Sequence, residues 1–345
     1  MKSKNNIRTH FLGAMIGTAI LFSFGCAKEV TVTAEDQEKS YFDAWMKINH
    51  PDLKPSGLGV YIMEDEAGTG DLVTDNDSFV FVEYTVTDLS GNVSGTSHEK
   101  LAQQIGSFSA ANYYGANAIA NDRGYTATGV LETIRGMRVG GTRKAIIPSW
   151  LNYTADYDTE EEYIKNSSGS NAIYTITVVD KTDDIIEWQL DSLRRFARNQ
   201  MAGVDSTMSG YYYLTTREPS DTTTFRSDTS YYINYVGRLL DGHVFDTTIE
   251  DTAKVHGIWS STKTYGPVHI TMAEKYSEIT MSSSGDSGST LVDGFSFCLS
   301  RLRPYEKGIC AFYSELGYGA SGSDAVIPGY CPISFEIDVV DEPEE

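Results

Sequence analysis

Basic residues are scarce in this chain. Its 27 Lys and Arg face 48 Asp and Glu, a formal net charge of -21 over 345 residues. A nucleic-acid-binding face needs clustered positive charge, so that class of partner is argued against, and the acidity reads as a solubility device. Cysteine is nearly absent as well. Apart from Cys26, the chain carries Cys298, Cys310 and Cys331. An odd count is no disulfide framework. One bridge, such as Cys310 to Cys331, and three separate thiols both remain open. The six histidines are scattered, no Cys or His spacing suggests a metal site, and no cofactor is expected. Long apolar runs are missing too. The longest candidate, residues 11–24, is shorter than a stable bilayer span.

What is present is the composition of a folded protein. Hydrophobic residues make up 40% and aromatics 12%, with 22 tyrosines that favour strands. The length allows two or three domains with real cores. Lys2, Lys4 and Arg8 precede the short apolar run, which ends Ser23-Phe-Gly-Cys26. This resembles a bacterial lipoprotein signal, with Ser23 where that pattern usually has Leu. The resemblance implies removal of residues 1–25, lipid on the Cys26 thiol, and a lipid-anchored protein of the bacterial cell envelope, expected at the outer membrane. An ordinary secretory signal with an incidental Cys is the other reading.

Residues 26–55 read as a tether with one helix, capped by Asp36, with Phe42, Trp45, Met46 and Ile48 as its apolar face and Pro51 at its end. Strand signals follow at residues 60–64, 79–87, 142–148 and 173–180. Residues 181–207 read as a helical connector: Ile186, Leu190, Leu193 and Ala197 recur at helical spacing, and Arg194, Arg195 and Arg198 suit the C-terminal end of the dipole. Strand signals resume at residues 211–214, 230–235 and 333–341, and another is expected at 264–271. The second set repeats the first. Tyr84-Thr-Val-Thr-Asp-Leu-Ser-Gly91 parallels Tyr235-Val-Gly-Arg-Leu-Leu-Asp-Gly242, residues 146–153 parallel 312–318, and Val-Val-Asp closes both copies.

The second copy carries a recognisable order of motifs. Tyr235-Val-Gly237 ends a strand, Asp241-Gly242 and Phe245-Asp246 follow, Leu291-Val-Asp-Gly294 opens a short helix, and Tyr318-Gly319 precedes Ile327-Pro328. In this order the segment resembles FKBP-type peptidyl-prolyl cis-trans isomerases. The resemblance implies an α+β fold of two FKBP-like domains, residues 56–180 and 208–345. Each would be an antiparallel sheet wrapped around a short helix, and a helical linker would join them. It also implies isomerisation of X-Pro bonds in exported or envelope proteins by the second domain. The partners would be proline-containing unfolded or exported polypeptides, with the membrane reached through the N-terminal lipid. Tyr235, Phe245, Val292, Phe295, Ile327 and Phe335 would line the prolyl pocket. Tyr318 would offer its phenol to a substrate carbonyl, Val292 its amide, and Asp246 would act at the rim. The alternative is a non-catalytic peptide-binding or chaperone lipoprotein using the same groove.

The chain departs from the family at several points. Phe295 stands where the family commonly has Trp, Gly329 replaces a second Pro, and residues 247–290 are longer than usual. In the first copy Ser94 and Gly95 stand at Phe-Asp, Val130 at the floor aromatic, and an acidic run at residues 156–162 replaces the Ile-Pro segment. That copy is therefore expected to keep its strands, with Tyr84 and Tyr153, and to lose much of its pocket. Gly285-Asp-Ser-Gly288 resembles the nucleophile loop of trypsin-like proteases, but Ser289 follows where that family has Gly, and the surroundings are Ser/Gly-rich.

Overall fold

The computed structural model describes residues 33–227, 229–282 and 289–343. Cys26 and the Gly285–Gly288 stretch lie outside the described residues.

The first element is α1 (Ala34–Asn49). Thr33, not Asp36, is its N-cap. The Asp36 amide donates to the Thr33 hydroxyl and the Thr33 amide to the Asp36 carboxylate, both at 3.2 Å. That is a reciprocal capping box, and both residue types cap well enough that only backbone geometry separates them. Phe42 and Met46 are buried, whereas Ile48 is exposed, off the buried stripe.

Strands β1 (Tyr61–Glu66), β2 (Phe79–Thr87), β3 (Val93–Thr96), β4 (Asn117–Ala120), β5 (Thr142–Ile147) and β6 (Ala172–Thr182) form one sheet in the order β1-β5-β6-β2-β3, with β4 also on β2. Helices α2 (Glu99–Ile105), α3 (Thr128–Ile134) and α4 (Glu160–Lys165) accompany it. The long strands are rich in β-branched and aromatic residues, which fit a pleated, half-buried surface. α4 begins within the acidic run. Thr159 caps it, and Glu160, Glu161 and Glu162 occupy its first turn, where the helix dipole favours negative charge.

Next comes α5 (Ile185–Gln200), capped by Asp184, whose carboxylate accepts from the amides of Ile186 and Glu187 at 3.0 Å. Its buried stripe is Ile185, Gln189, Leu193 and Ala197 rather than one through Ile186 and Leu190. Polar Gln189 is fully buried; its side-chain oxygen accepts from the Ser314 amide at 2.8 Å, while its Nε2 has no partner among the described residues. Leu193, Ala197 and Met201 pack with Tyr212 and Ala311.

The second sheet contains β7 (Tyr211–Arg217), β8 (Ser230–Leu239), β9 (Val244–Thr247), β10 (Val268–Thr271), β11 (Thr280–Ser282), β12 (Ser289–Thr290), β13 (Lys307–Phe312) and β14 (Ile333–Val340). Helices α6 (Glu250–Val255) and α7 (Asp293–Leu299) go with it. The order is β12-β11-β10-β8-β14-β13-β7, with β9 also on β8. The strand expected over 264–271 is shorter than expected: β10 starts only at Val268, after Gly266 at φ 124°.

Registers tie the two sheets together position by position. Tyr84 pairs with Ile176 as Tyr235 pairs with Ile337. Gly95 faces Val86 as Asp246 faces Gly237, so Ser94 stands at Phe245. Arg143 faces Ile176 as Gly308 faces Ile337, so Ile147 stands at Phe312. A Cβ on Gly129 would meet Ile147, and one on Gly294 would meet Phe312, which sets Val130 against Phe295. Only the second sheet adds β11 and β12.

Candidate functional site

The aromatic cluster of the second sheet is built on two close approaches of backbone. Gly237 lets the rings of Phe245 and Phe335 come down onto β8, where a Cβ would lie 2.6 and 2.9 Å from them. Gly294 lets α7 settle on Phe312, where a Cβ would sit 2.5 Å from the ring. These approaches gather the aromatic residues. Phe295 and Phe335 have centroids 4.5 Å apart, Phe245 and Phe335 are edge-on at 5.6 Å, and Tyr235 meets Phe295 at 5.5 Å. Tyr235, Phe295, Ile327 and Phe335 are buried in one cluster, with Phe245, Val292 and Tyr318 packed against it. All seven apolar or aromatic residues singled out in the sequence therefore come together, and Asp246 stands at their edge.

Asp246 is held on two sides. The Tyr235 hydroxyl donates to Oδ2 at 2.6 Å, the Thr247 amide donates to Oδ1 at 2.9 Å, and Lys263 Nζ pairs with the same oxygen. Burial raises the Tyr235 phenol well above its usual pKa, and the adjacent Asp246 charge raises it further. Tyr235 is thus a fixed donor. Lys263 has no counterpart in the sequence reading. It lies 17 residues from Asp246 in the insertion, and nothing in its flanks marks it. Through it the insertion reaches the rim of the pocket.

Two donors are uncommitted. The Tyr318 hydroxyl has no hydrogen-bond partner among the described residues, and its pKa is raised by burial and then by Asp246. Val292 is the N-cap of α7, and its amide likewise has no acceptor among the described residues. Ile327 is carried by a tight turn, closed by Ser323 N to Ile327 O at 2.8 Å and Ile327 N to Ser323 O at 3.0 Å. Gly329 is fixed by packing: a Cβ there would lie 2.2 Å from the Ala320 carbonyl.

The first sheet differs from expectation at the equivalent place. A cavity of about 430 Å³ remains, lined among others by Tyr84, Ser94, Gly95, Val130, Tyr174 and Ile176. Tyr153 is not among its walls, because its hydroxyl donates to the Tyr163 carbonyl at 3.3 Å. The small side chains open the space rather than erase it. Cys298, Cys310 and Cys331 are free thiols. Burial pushes Cys331 up to about 12.

No family model and no curated protein matches the sequence. Among solved structures, the three FKBP domains of wheat FKBP73 are similar at 12% identity and TM-score 0.30, over 83% of this chain and 95% of that one. A peptidyl-prolyl cis-trans isomerase from Pseudomonas syringae is similar at 22% identity and TM-score 0.30, over 46% and 96%. FkpA from Escherichia coli is similar at 20% identity and TM-score 0.29, over 43% and 59%.

Proposed function

We propose that the chain is a peptidyl-prolyl cis-trans isomerase whose site is the aromatic pocket of the second sheet, acting on X-Pro bonds of exported or envelope polypeptides. The observation that carries this reading is an apolar aromatic box with two uncommitted donors at its edge, Tyr318 and Val292. Prolyl isomerisation needs neither nucleophile nor metal. The barrier of about 18–20 kcal/mol comes from amide resonance, and it falls when the amide leaves polar solvent and is held twisted. Phe245, Phe295 and Phe335 would surround the prolyl ring and exclude water. Tyr318 and the Val292 amide would donate to flanking carbonyls and so favour the twisted peptide over the planar one. Asp246, fixed by Tyr235 and Lys263, would keep the rim in shape.

The test is a proline-peptide isomerisation assay on the mature chain. Wild type should accelerate exchange above the uncatalysed rate. Phe245→Ala should lower kcat/KM by about tenfold or more, and Tyr318→Phe by less, with circular dichroism unchanged. Absence of any acceleration on several X-Pro peptides would sink the proposal, and peptide binding without acceleration would leave a non-catalytic holding module.

A further inference from the structure

The same loop occurs twice. After α2 the chain turns at Gly106 (φ 75°), and after α6 it turns at Gly257 (φ 70°). Each loop is then stapled by a tyrosine hydroxyl: Ser109 N donates to Tyr114 at 3.1 Å, and Ser260 N to Tyr265 at 3.0 Å. Each leaves through a second positive-φ glycine, Gly115 at 146° and Gly266 at 124°. The two copies reach different targets. The second turns onto its own pocket and delivers Lys263 to Asp246. The first crosses to the other sheet's pocket.

That crossing has three points of contact. The Tyr113 amide donates to the Ala325 carbonyl at 2.8 Å. The Ala111 carbonyl accepts from His243 Nε2 at 3.2 Å. Ala110 abuts Gly257, where a Cβ would come within 3.0 Å of its own. The Tyr113 ring packs against the cluster that contains Ile327. Ala325 belongs to the turn that carries Ile327, and His243 lies two residues before Phe245. One short segment thus bonds both to the turn that carries Ile327 and to the stretch just before Phe245.

We propose that residues 110–113 are a positioning strap: the first half of the chain sets the separation of Phe245 and Ile327 in the second half's pocket. Tyr113 and Ala111 touch neither substrate nor reacting bond. They hold the frame in which the prolyl ring is gripped. The inference rests on the isomerase reading for its catalytic consequence, but the strap itself is a physical coupling that is measured without catalysis.

The experiment uses the full mature chain with Tyr113→Pro, which removes the amide donor to Ala325, combined with His243→Ala, and Tyr113→Phe as the conservative control. Amide hydrogen exchange over residues 323–328 should quicken by about tenfold in the double variant and stay at the wild-type rate in Tyr113→Phe. For a proline peptide, KM should rise about threefold or more while kcat changes by less than about twofold, because a loosened wall weakens grip before it alters the twist. Unchanged exchange overturns the strap. Quicker exchange with unchanged KM overturns its positioning role. If wild type shows no isomerase activity, the functional reading fails while exchange still decides the strap. If the double variant does not fold by circular dichroism, His243→Ala alone carries the KM readout, with exchange then read over residues 243–247: quicker exchange with raised KM supports the strap and unchanged exchange overturns it.

Discussion

Gly237 shows how a single missing methyl group defines a pocket. It stands in β8 beneath Phe245 and Phe335, and any side chain there would strike both rings. Gly237→Ala should force at least one ring off its place. Overpacking of this kind costs roughly 1–3 kcal/mol, and here the larger effect falls on function. Peptide affinity and kcat/KM should drop severalfold while the thermal midpoint moves only a few degrees. Full retention of peptide binding would show that the rings have room to withdraw. The sequence announced this residue, since a Tyr-x-Gly strand end followed by Phe-Asp is a specific local order. It did not announce Lys263 or Tyr113. Their roles depend on where long loops return in space, and a lysine or tyrosine in a polar loop carries no local mark of a distant partner.

At the scale of elements, one buried carboxylate joins β7 to the turn before β13. Glu306 is 1% exposed in the turn before β13. It accepts from the Tyr213 and Thr215 hydroxyls of β7, each at 2.7 Å, and from Arg303 N and Nε at 3.1 and 3.0 Å. Burial pushes its pKa up, but the Arg303, Tyr213 and Thr215 donors outweigh that and leave it below the usual range. A carboxyl depressed in the native state binds fewer protons there than in the unfolded chain. Its stabilisation is therefore complete above the unfolded value of about 4.3 and is lost as pH falls through the native one. Urea midpoints should fall with pH in that window. Glu306→Gln should flatten part of the fall and cost roughly 3 kcal/mol at neutral pH by leaving donors facing an amide. An unaltered acid limb in the variant would assign the fall to other carboxylates, such as Asp77 against Lys181. The long strands were legible as β-branched and aromatic runs; β3, β4, β9, β11, β12 and the central β13 were not, because they are short or carry few such residues. The short α4 was not: three consecutive Glu read as a charged run until Thr159 is seen to cap them and buried Tyr163 to anchor them.

The whole molecule is proposed to sit on a membrane by its first mature residue. The basic leader and the Ser-Phe-Gly-Cys ending motivate this. Cys26→Ala should abolish lipid labelling and move the protein to the soluble fraction; retention of the variant in washed membranes would show a different anchor. A single acyl chain holds a protein only marginally, so a stable anchor needs more than one. Between that anchor and the candidate pocket lies α5, which the sequence presented as a connector. Its apolar stripe lies on the outer side of β7 and β13, and Gln189 satisfies the Ser314 amide just after β13. The helix touches both halves, since Trp188 stacks on Phe81 of β2 at 4.3 Å and its Nε1 donates to Asp180 of β6 at 3.3 Å, but its buried stripe packs on the second sheet. A fragment begun after residue 207 would leave Tyr212, Leu214, Ile309 and Ala311 wet and one buried amide without its acceptor. The smallest autonomous piece that carries the candidate pocket must start no later than Asp184, and a protease site engineered to separate the halves belongs upstream of that cap.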